Sequence, residues 1–236
     1  MSSTIRRKSA MGTISESIGW LQSNPILIVL FLVVGIFSGL GEVVALFSIV
    51  GFLIQLYVSG IAHLVARDEL AGKTTDIGAA SSVVLGRMFS LIGIALITVI
   101  LGGIGFLLFI IPGIYITLRL SLAPAACVID GKDAFDSLGK SWDVAQGNLL
   151  KLLGITILFL VVMFAAIIGL VPLAVFVDSS GTLSMVLLVG LVTAMTAFVA
   201  PVIQLAYARI YLENRGAGAD DVREDGIDRN ADWAGA

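Results

Sequence analysis

Residues 111–151 contain every kind of segment from which the chain is built, and they read IPGIYITLRLSLAPAACVIDGKDAFDSLGKSWDVAQGNLLK. An apolar segment with a single arginine, Arg119, passes into the polar turn Asp130-Gly131-Lys132. A half-polar segment around Trp142 follows and leads into another long apolar run. Apolar runs joined by short polar segments are typical of helices that cross a membrane. The stretch therefore predicts an all-α protein, a polytopic membrane helical bundle.

The composition of the chain favours the same class. Of its 236 residues 58% are hydrophobic and 13% are charged, and the mean hydropathy is +1.05. Soluble globular proteins have about 45–50% apolar and about 25% charged residues. A single cysteine, Cys127, and a single histidine, His63, exclude an intramolecular disulfide and a multi-histidine metal site. The sequence also lacks the Walker, G-x-S-x-G, H-E-x-x-H and C-x-x-C motifs, so we expect no enzymatic activity, no cofactor and no nucleic-acid partner.

Six apolar runs are candidates for membrane helices, which need about 20 mostly apolar residues. The turn between the third and fourth helices is predicted at Pro112-Gly113, because proline cannot donate to a helix and glycine permits a sharp turn. Pro172, Asp178 and Gly181 mark the turn before the last helix, and Pro201 is expected to kink that helix. The predicted spans are residues 25–40, 43–66, 88–111, 113–129, 149–172 and 183–212.

The distribution of Lys and Arg predicts the orientation. With both termini in the cytoplasm, Arg119 is the one member of the 14 Lys and Arg that falls outside the cytoplasmic segments. Cytoplasmic loops are enriched in these residues, so we expect a multi-pass protein of the cytoplasmic membrane. It divides into a cytoplasmic N-terminal segment (1–11), a six-helix transmembrane domain (12–212) and an acidic cytoplasmic tail (213–236) that is expected to be disordered.

The chain has signs of an internal repeat. A shift of 61 residues lays 86–97 over 147–158 with four identities, two of them glycines. We interpret the chain as three units, each an amphipathic cytoplasmic helix followed by a transmembrane hairpin. Glycine-rich apolar segments also align by chance, and that alternative stays open.

Two polar segments have the spacing of amphipathic helices. In the first, Ile14, Ile18 and Leu21 line one face and Glu16 lies away from it. Such helices lie at the headgroup boundary or against the cytoplasmic ends of a bundle. The second, within residues 133–148, has an apolar face of Phe135, Leu138, Trp142 and Ala145.

Arg119 is the sharpest candidate for a functional residue. It lies about seven residues past Pro112-Gly113, roughly 10 Å below the outer surface at about 1.5 Å per residue. Charges at such depth face the interior and mark function, so we expect Arg119 to meet Glu42 or carbonyl oxygens at the outer end. Two roles stay open: Arg119 orders its hairpin or snorkels outward without a ligand, or it contacts a lipid phosphate or a substrate anion.

Gln55, His63 and Gln204 complete a candidate intramembrane polar site, although such residues more often form hydrogen bonds between helices. Trp142 is expected at the headgroup level of the cytoplasmic interface. Asn148, with the glycine before it, is expected to end one helix and cap the next. Close approach of helices is predicted at Gly35-x-x-x-Gly39 and at Gly102, Gly103 and Gly105.

The order P-G-I-Y, R, A-P, D-G-K, S-W and G-N within residues 111–151 resembles a broad group of uncharacterised prokaryotic six-helix membrane proteins. That group is related to the membrane domain fused to some glycerophosphodiester phosphodiesterases, and the acidic tail resembles that of haloarchaeal members. The resemblance implies a fold and a location. It implies no phosphodiesterase activity, because the hydrolase domain of the fused enzymes is absent here.

These observations favour a non-enzymatic membrane protein that acts on lipids or membrane-protein partners through its cytoplasmic amphipathic helices. Envelope homeostasis or a scaffold role would suit it, and it could also form a homo-oligomer. The alternative is a small transporter or lipid carrier with an internal site around Arg119. A water-filled cavity that reaches Arg119 would favour transport, whereas a solid bundle packed through glycines would favour the first function.

Overall fold

The computed structural model describes residues 7–41, 45–177 and 182–215, and every regular element in these ranges is an α-helix. The helices are consecutive along the chain and are joined by short connections. The helices are α1 (Ala10–Ser23), α2 (Ile26–Gly41), α3 (Ala45–Leu70), α4 (Ile77–Gly86), α5 (Met88–Leu108), α6 (Ile110–Leu120), α7 (Ala123–Ile129), α8 (Ala134–Gln146), α9 (Leu149–Val177) and α10 (Thr182–Asn214).

Several of these helices are long and apolar enough to cross a membrane. Within the described ranges five segments qualify, and a sixth is added if α1 and α2, which are bent by 95°, count as one span. Helix α2 alone has 16 residues, which span about 24 Å against a hydrocarbon core of about 30 Å. The five segments are Leu46–Leu70, Met88–Leu108, Ile110–Ile129, Leu149–Gly169 and Val189–Asn214.

Helix α3 lies at the centre of the bundle. It packs against α1, α2, α4, α5, α7 and α10. The half of α3 that is cytoplasmic in the predicted orientation is mostly apolar core, with Val58, Ile61, Leu64 and Val65 almost fully buried. Burial of one such side chain contributes about 1.5–3 kcal/mol where water is the alternative, so this half of α3 is well protected from solvent.

The turn between α5 and α6 is not at Pro112-Gly113, and that prediction is wrong. The break lies at Phe109, whose extended backbone (φ −163°, ψ 155°) separates the two helices. Pro112 is the third residue of α6, where a missing N–H costs nothing because first-turn N–H groups have no partner within the helix. Gly105 and Gly113 instead permit close contact between α5 and α6. A Cβ atom at Gly113 would overlap the ring of Phe106, and one at Gly105 would lie 2.9 Å from the Gly113 Cα.

Two other predicted boundaries also differ from the structure. Pro172 lies inside α9, which continues to Val177; a proline is tolerated within a membrane helix when neighbouring groups satisfy the freed carbonyl. The predicted fourth span is divided at Ser121 into α6 and α7. The reason is Pro124, whose ring would clash with the carbonyl of Leu120, four residues earlier, in a continuous helix.

Gly35 and Gly39 bring α2 against α10. A Cβ atom at Gly35 would lie 2.8 Å from the Cα of Thr193, and one at Gly39 would lie 2.7 Å from Cγ1 of Val189. The Thr193 hydroxyl also donates to the Gly35 carbonyl at 3.2 Å. The close approach predicted from the spacing of these glycines therefore forms between α2 and α10.

Substitution of Gly35 by alanine is expected to lower the free energy of unfolding by about 1–3 kcal/mol, the usual cost of overpacking. The added methyl group would meet backbone atoms of α10, which cannot rotate away. Titration of the detergent-solubilised protein with sodium dodecyl sulfate, followed by circular dichroism, measures the change. Gly103→Ala is the matched control, because a Cβ atom at Gly103 meets nothing within 4 Å; an equal loss in both variants would contradict the role of close approach.

Candidate functional site

The break between α6 and α7 is closed by a side chain from α8. The Ser141 hydroxyl donates to the Arg119 carbonyl at 2.6 Å and accepts from the Leu122 N–H at 3.1 Å. Both backbone groups lose their helical partners where Pro124 ends α6, and an unpaired buried backbone group is costly. Ser141 therefore fixes α8 across the broken span.

Arg119 is buried at this junction, with 6% of its surface exposed. Its Nε and Nη2 atoms donate to the Tyr115 hydroxyl at 2.9 and 2.6 Å, and Nη1 donates to the Trp142 carbonyl at 2.6 Å. The guanidinium carbon lies 5.0 Å from the centroid of the Tyr115 ring and 4.8 Å from that of Trp142. The two rings meet edge to face, with centroids 5.9 Å apart. We call Arg119, Tyr115, Ser141 and Trp142 the arginine cluster.

The partners of Arg119 differ from those predicted. Its carbonyl partner belongs to Trp142 on α8, not to the outer end of the bundle. Arg119 was predicted near the outer surface and α8 at the cytoplasmic surface, yet the two are in contact. Arg119 lies near the end of α6 (Ile110–Leu120), and this end packs against α8. Glu42, the predicted acidic partner, lies outside the described residues. All three guanidinium nitrogens have partners within the chain, which favours an ordering role over a ligand-binding role for Arg119.

The other predicted polar residues do not join Arg119. The Gln55 amide donates to Ser59 at 2.9 Å within α3. The His63 Nδ1 atom lies 3.2 Å from the backbone carbonyl oxygen of Gln204, which links α3 to α10. His63 and Gln204 thus share one contact and Gln55 has another, and within the described residues the structure does not assemble the three with Arg119 into one intramembrane site.

Asn148 lies between α8 and α9, and its side chain bonds to α8. Its side-chain amide donates to the Val144 carbonyl at 3.0 Å, and its backbone N–H donates to the Ala145 carbonyl at 2.9 Å. Gly147 is the C-cap of α8. The predicted end of α8 is therefore correct, and the Asn148 side chain satisfies a carbonyl that the last turn of α8 leaves unpaired. Asn148 also directly precedes α9, and its backbone carbonyl accepts from the Leu152 N–H at 2.9 Å.

A second cluster joins α1, α9 and α10 through alternating charges. Its ion pairs are Lys8–Glu16 at 3.1 Å, Glu16–Arg209 at 2.5 Å, Arg209–Glu213 at 3.1 Å and Glu213–Lys151 at 2.6 Å. The side chains of Arg209 and Glu213 are 2% and 1% exposed. The Arg209 guanidinium also lies 5.6 Å from the centroid of the Trp20 ring. We call Lys8, Glu16, Lys151, Arg209 and Glu213 the ion-pair cluster.

The ion-pair cluster bears on two predictions. Glu16 pairs with Arg209, which does not contradict its predicted position away from the face of Ile14, Ile18 and Leu21. Glu213 was assigned to the disordered tail, but it lies in the last turn of α10, which ends at Asn214. The spacing of Arg209 and Glu213 at i and i+4 was a signal for an ion pair on one helix face. The position of α1 against that face depends on tertiary structure and had no signal in the sequence.

An apolar groove lies beside the ion-pair cluster, between α1, α9 and α10. Its volume is about 330 Å³, near the lower end of the range for ligand sites, about 300–1,000 Å³. The predicted apolar face of α1 forms one wall. The groove is lined by Ile14, Ile18 and Leu21 from α1, Ile155, Leu158, Phe159 and Val162 from α9, and Phe198, Val199, Val202, Ile203 and Ala206 from α10.

Residues 75–214 match a family described as a domain of unknown function, DUF7847. The match covers more than half of the chain. The chain belongs to the DUF7847 family. No curated protein and no solved structure matches it.

In this DUF7847 protein the family segment includes α4 to α10, and with them the whole arginine cluster. The segment also contains Lys151, Arg209 and Glu213, whereas Lys8 and Glu16 lie before it. The ion-pair cluster therefore attaches the N-terminal helix to the family fold.

A second pocket of the DUF7847 protein lies at the turn between α3 and α4 and has a volume of about 300 Å³. Arg67, Asp68, Lys73 and Asp76 contribute its charges, and Asp76 is already the N-cap of α4. Arg119 lines neither this pocket nor the apolar groove. Within the described ranges no group of three or more His, Cys, Asp or Glu residues is placed to hold a metal ion.

Proposed function

We propose that the chain is a six-span protein of the cytoplasmic membrane that acts without catalysis on membrane lipids. In this proposal α1, α4 and α8 lie at the cytoplasmic headgroup boundary, and each is followed by a transmembrane hairpin. Both termini are cytoplasmic. The broken α1–α2 pair and the α6–α7 pair each form one of the six spans. A membrane-protein partner or a second copy of the chain would bind the same short helices.

The outward face of α8 is the observation on which the proposal depends. Phe135 is 77% exposed and Trp142 is 38% exposed, whereas Leu138 and Ala145 are buried against the bundle. A large apolar side chain such as Phe135 is unfavourable in water but suits the boundary between headgroups and acyl chains, where amphipathic helices insert their aromatic residues. Asp136 and Gly139, both exposed, would face the cytoplasm or the headgroups.

The distribution of charge supports the orientation. The turns beside α4 and α8 contain Arg67, Lys73 and Lys132, whereas the break at Phe109 lies in an apolar stretch without Lys or Arg. Cytoplasmic loops are the basic ones. We propose the relation to the membrane domain of glycerophosphodiester phosphodiesterases from the sequence motifs within residues 111–151, and the haloarchaeal origin from the acidic tail.

The depth of α8 tests the proposal. Single-cysteine variants Phe135→Cys and Asp136→Cys, made in a Cys127→Ala background, are labelled with an environment-sensitive fluorophore and reconstituted in phospholipid vesicles. We expect a blue-shifted emission at position 135 that lipids brominated on their acyl chains quench. Equal emission and equal quenching at the two positions would contradict insertion of α8, because the neighbouring residues differ mainly in the direction they face.

The same set of variants reports the orientation. A membrane-impermeant maleimide is expected to label Asp136→Cys in inverted vesicles and Phe109→Cys in intact cells. Phe109 is 75% exposed at the α5–α6 break, so its side chain is accessible to the reagent. Labelling of both positions from the same side would overturn the six-span arrangement.

A further inference from the structure

We propose that the apolar groove between α1, α9 and α10 binds one hydrocarbon chain of an anionic phospholipid, with the lipid phosphate at Lys8. This inference rests on the proposed function and names the lipid class and the place where it binds. It differs from the insertion of α8, because the groove shares no residue with α8.

The walls of the groove fit a hydrocarbon chain. Its lining side chains are aliphatic or phenylalanine throughout. Helices α9 and α10 each contain a candidate membrane span, Leu149–Gly169 and Val189–Asn214, so the groove opens toward the region that lipid tails occupy. The lining runs from Ile155 to Val162 on α9, about 10 Å at 1.5 Å per residue. A groove of this length suits part of one extended chain.

The ion-pair cluster gives the groove a polar end with positive charge. Lys151 lies one turn before Ile155 on α9, and Arg209 lies three residues after Ala206 on α10. Three cations alternate with two carboxylates in the cluster, and both ends of the series are lysines. Lys151 is nearly buried, whereas 39% of the Lys8 side chain is exposed. The excess positive charge is therefore accessible at Lys8, where a phosphate oxygen can bind.

A phospholipid accounts for both features together. A free hydrocarbon would use the groove but not the charge at its end, and a soluble anion would use Lys8 but not the groove. Anionic lipids are attracted to basic groups at the cytoplasmic surface by about 1 kcal/mol per Lys or Arg. The N-terminal helix contributes one wall and, with Lys8 just before it, the charged end. The complete site thus needs α1 as well as the family segment.

Native mass spectrometry of the full chain in a mild detergent tests the inference. Phosphatidylglycerol and phosphatidylcholine with the same acyl chains are titrated separately, and the first bound lipid is counted. We expect Val162→Trp, which fills the groove, to weaken the first phosphatidylglycerol by about tenfold, equal to about 1.4 kcal/mol. Val161→Trp is the matched control, because Val161 is exposed on the same helix and does not line the groove; it should bind as the wild type does.

The charged end has its own pair of variants. Lys8→Gln is expected to lower the preference for phosphatidylglycerol over phosphatidylcholine by about fivefold, which corresponds to about 1 kcal/mol. Lys73→Gln, in the exposed turn before α4, should leave the preference unchanged. An equal effect of the two substitutions would mean that net charge, and not a bound phosphate, determines the preference.

The outcomes are distinct. Wild-type binding by Val162→Trp would overturn the inference, and so would an equal loss in Val161→Trp, which would indicate only boundary lipid. If Val162→Trp does not fold, Leu158→Trp, at another position in the lining, replaces it. The depth measurement on α8 is independent of these variants. If the groove variants bind lipid as the wild type does while the label at position 135 is inserted, this inference alone is rejected. If the label at position 135 is not inserted, the proposed function is rejected.

Discussion

Substitution of Glu213 by glutamine is expected to lower the free energy of unfolding by about 3 kcal/mol. The carboxylate of Glu213 pairs with Arg209 at 3.1 Å and with Lys151 at 2.6 Å, and its side chain is 1% exposed. Removal of one member of a buried ion pair costs about 3–5 kcal/mol because it leaves a buried charge without compensation. The lower end of that range is expected, since glutamine keeps one carbonyl oxygen that can accept a hydrogen bond.

The change is measured by sodium dodecyl sulfate titration of the protein in mixed micelles. Asp68→Asn is the control, because Asp68 pairs with Arg67, whose side chain is 42% exposed; exposed pairs contribute about 0–1 kcal/mol. The double variant Arg209→Met with Glu213→Gln should lose less than the sum of the single losses, because the two residues are in contact. Additive losses would show that Glu213 stabilises α10 independently of Arg209.

The ion-pair cluster explains how a helix outside the family segment is attached to it. Helix α1 contacts α10 and α9, and Glu16 is the residue that reaches Arg209. Thr13, three residues before Glu16, and Ser17, the residue after it, are also buried. The contact is therefore polar at the Glu16 end and apolar at Ile14 and Ile18, where α1 closes the groove. A single short helix thus provides both the charge and the hydrocarbon wall of the proposed lipid site.

The positions of the long helices followed from the sequence, because runs of apolar residues of sufficient length have few alternatives to a membrane helix. The turns were harder to predict. Pro112 predicted a helix end, but in the first turn of a helix a proline costs no hydrogen bond, because the N–H groups there have no partner within the helix. Pro124 lies within the predicted fourth span, and it is the proline that ends α6. The effect of a proline thus depends on whether the residue four positions earlier belongs to the same helix, because its carbonyl would then clash with the ring.

The residues of the site were only partly predictable. Arg119 was identified because a charge within an apolar run needs a partner, and Tyr115, four residues before it, was within reach on the same helix face. The carbonyl of Trp142 could not be predicted as a partner, because every backbone carbonyl is a possible acceptor and only the fold determines which one is close. Glu16 illustrates the same limit, because helical periodicity describes the faces of α1 and not the helix against which each face lies.

Substitution of Arg119 by glutamine is expected to lower the free energy of unfolding by about 2–3 kcal/mol. The variant loses charged hydrogen bonds to Tyr115 and to the Trp142 carbonyl, and hydrogen bonds to charged groups contribute about 1.5–3 kcal/mol each before any local relaxation. It also loses the cation–π contacts with both rings, worth about 2 kcal/mol where water is excluded. Part of this loss is offset, because an arginine in the membrane is itself costly to bury.

Arg119→Lys separates charge from geometry. A lysine ammonium is a compact point charge, and it cannot hold the Tyr115 hydroxyl and the Trp142 carbonyl in the fixed directions of a guanidinium. We therefore expect Arg119→Lys to recover less than half of the stability lost in Arg119→Gln. Arg67→Gln is the control, because the exposed Arg67 pairs only with its neighbour Asp68 among the contacts described for it.

The readout that distinguishes an organiser from a ligand site is the position of α8. If Arg119 orders the junction of α6, α7 and α8, Arg119→Gln should increase the exposure of a labelled Asp136→Cys or Phe135→Cys to aqueous quenchers. The hydrogen bonds of Ser141 and the ring contact of Tyr115 with Trp142 would then have to hold α8 without the guanidinium. Unchanged stability and unchanged label positions would remove Arg119 as an organiser. Arg119 would then be a candidate for anion binding, because a buried guanidinium without a structural effect needs another reason for its place in the membrane.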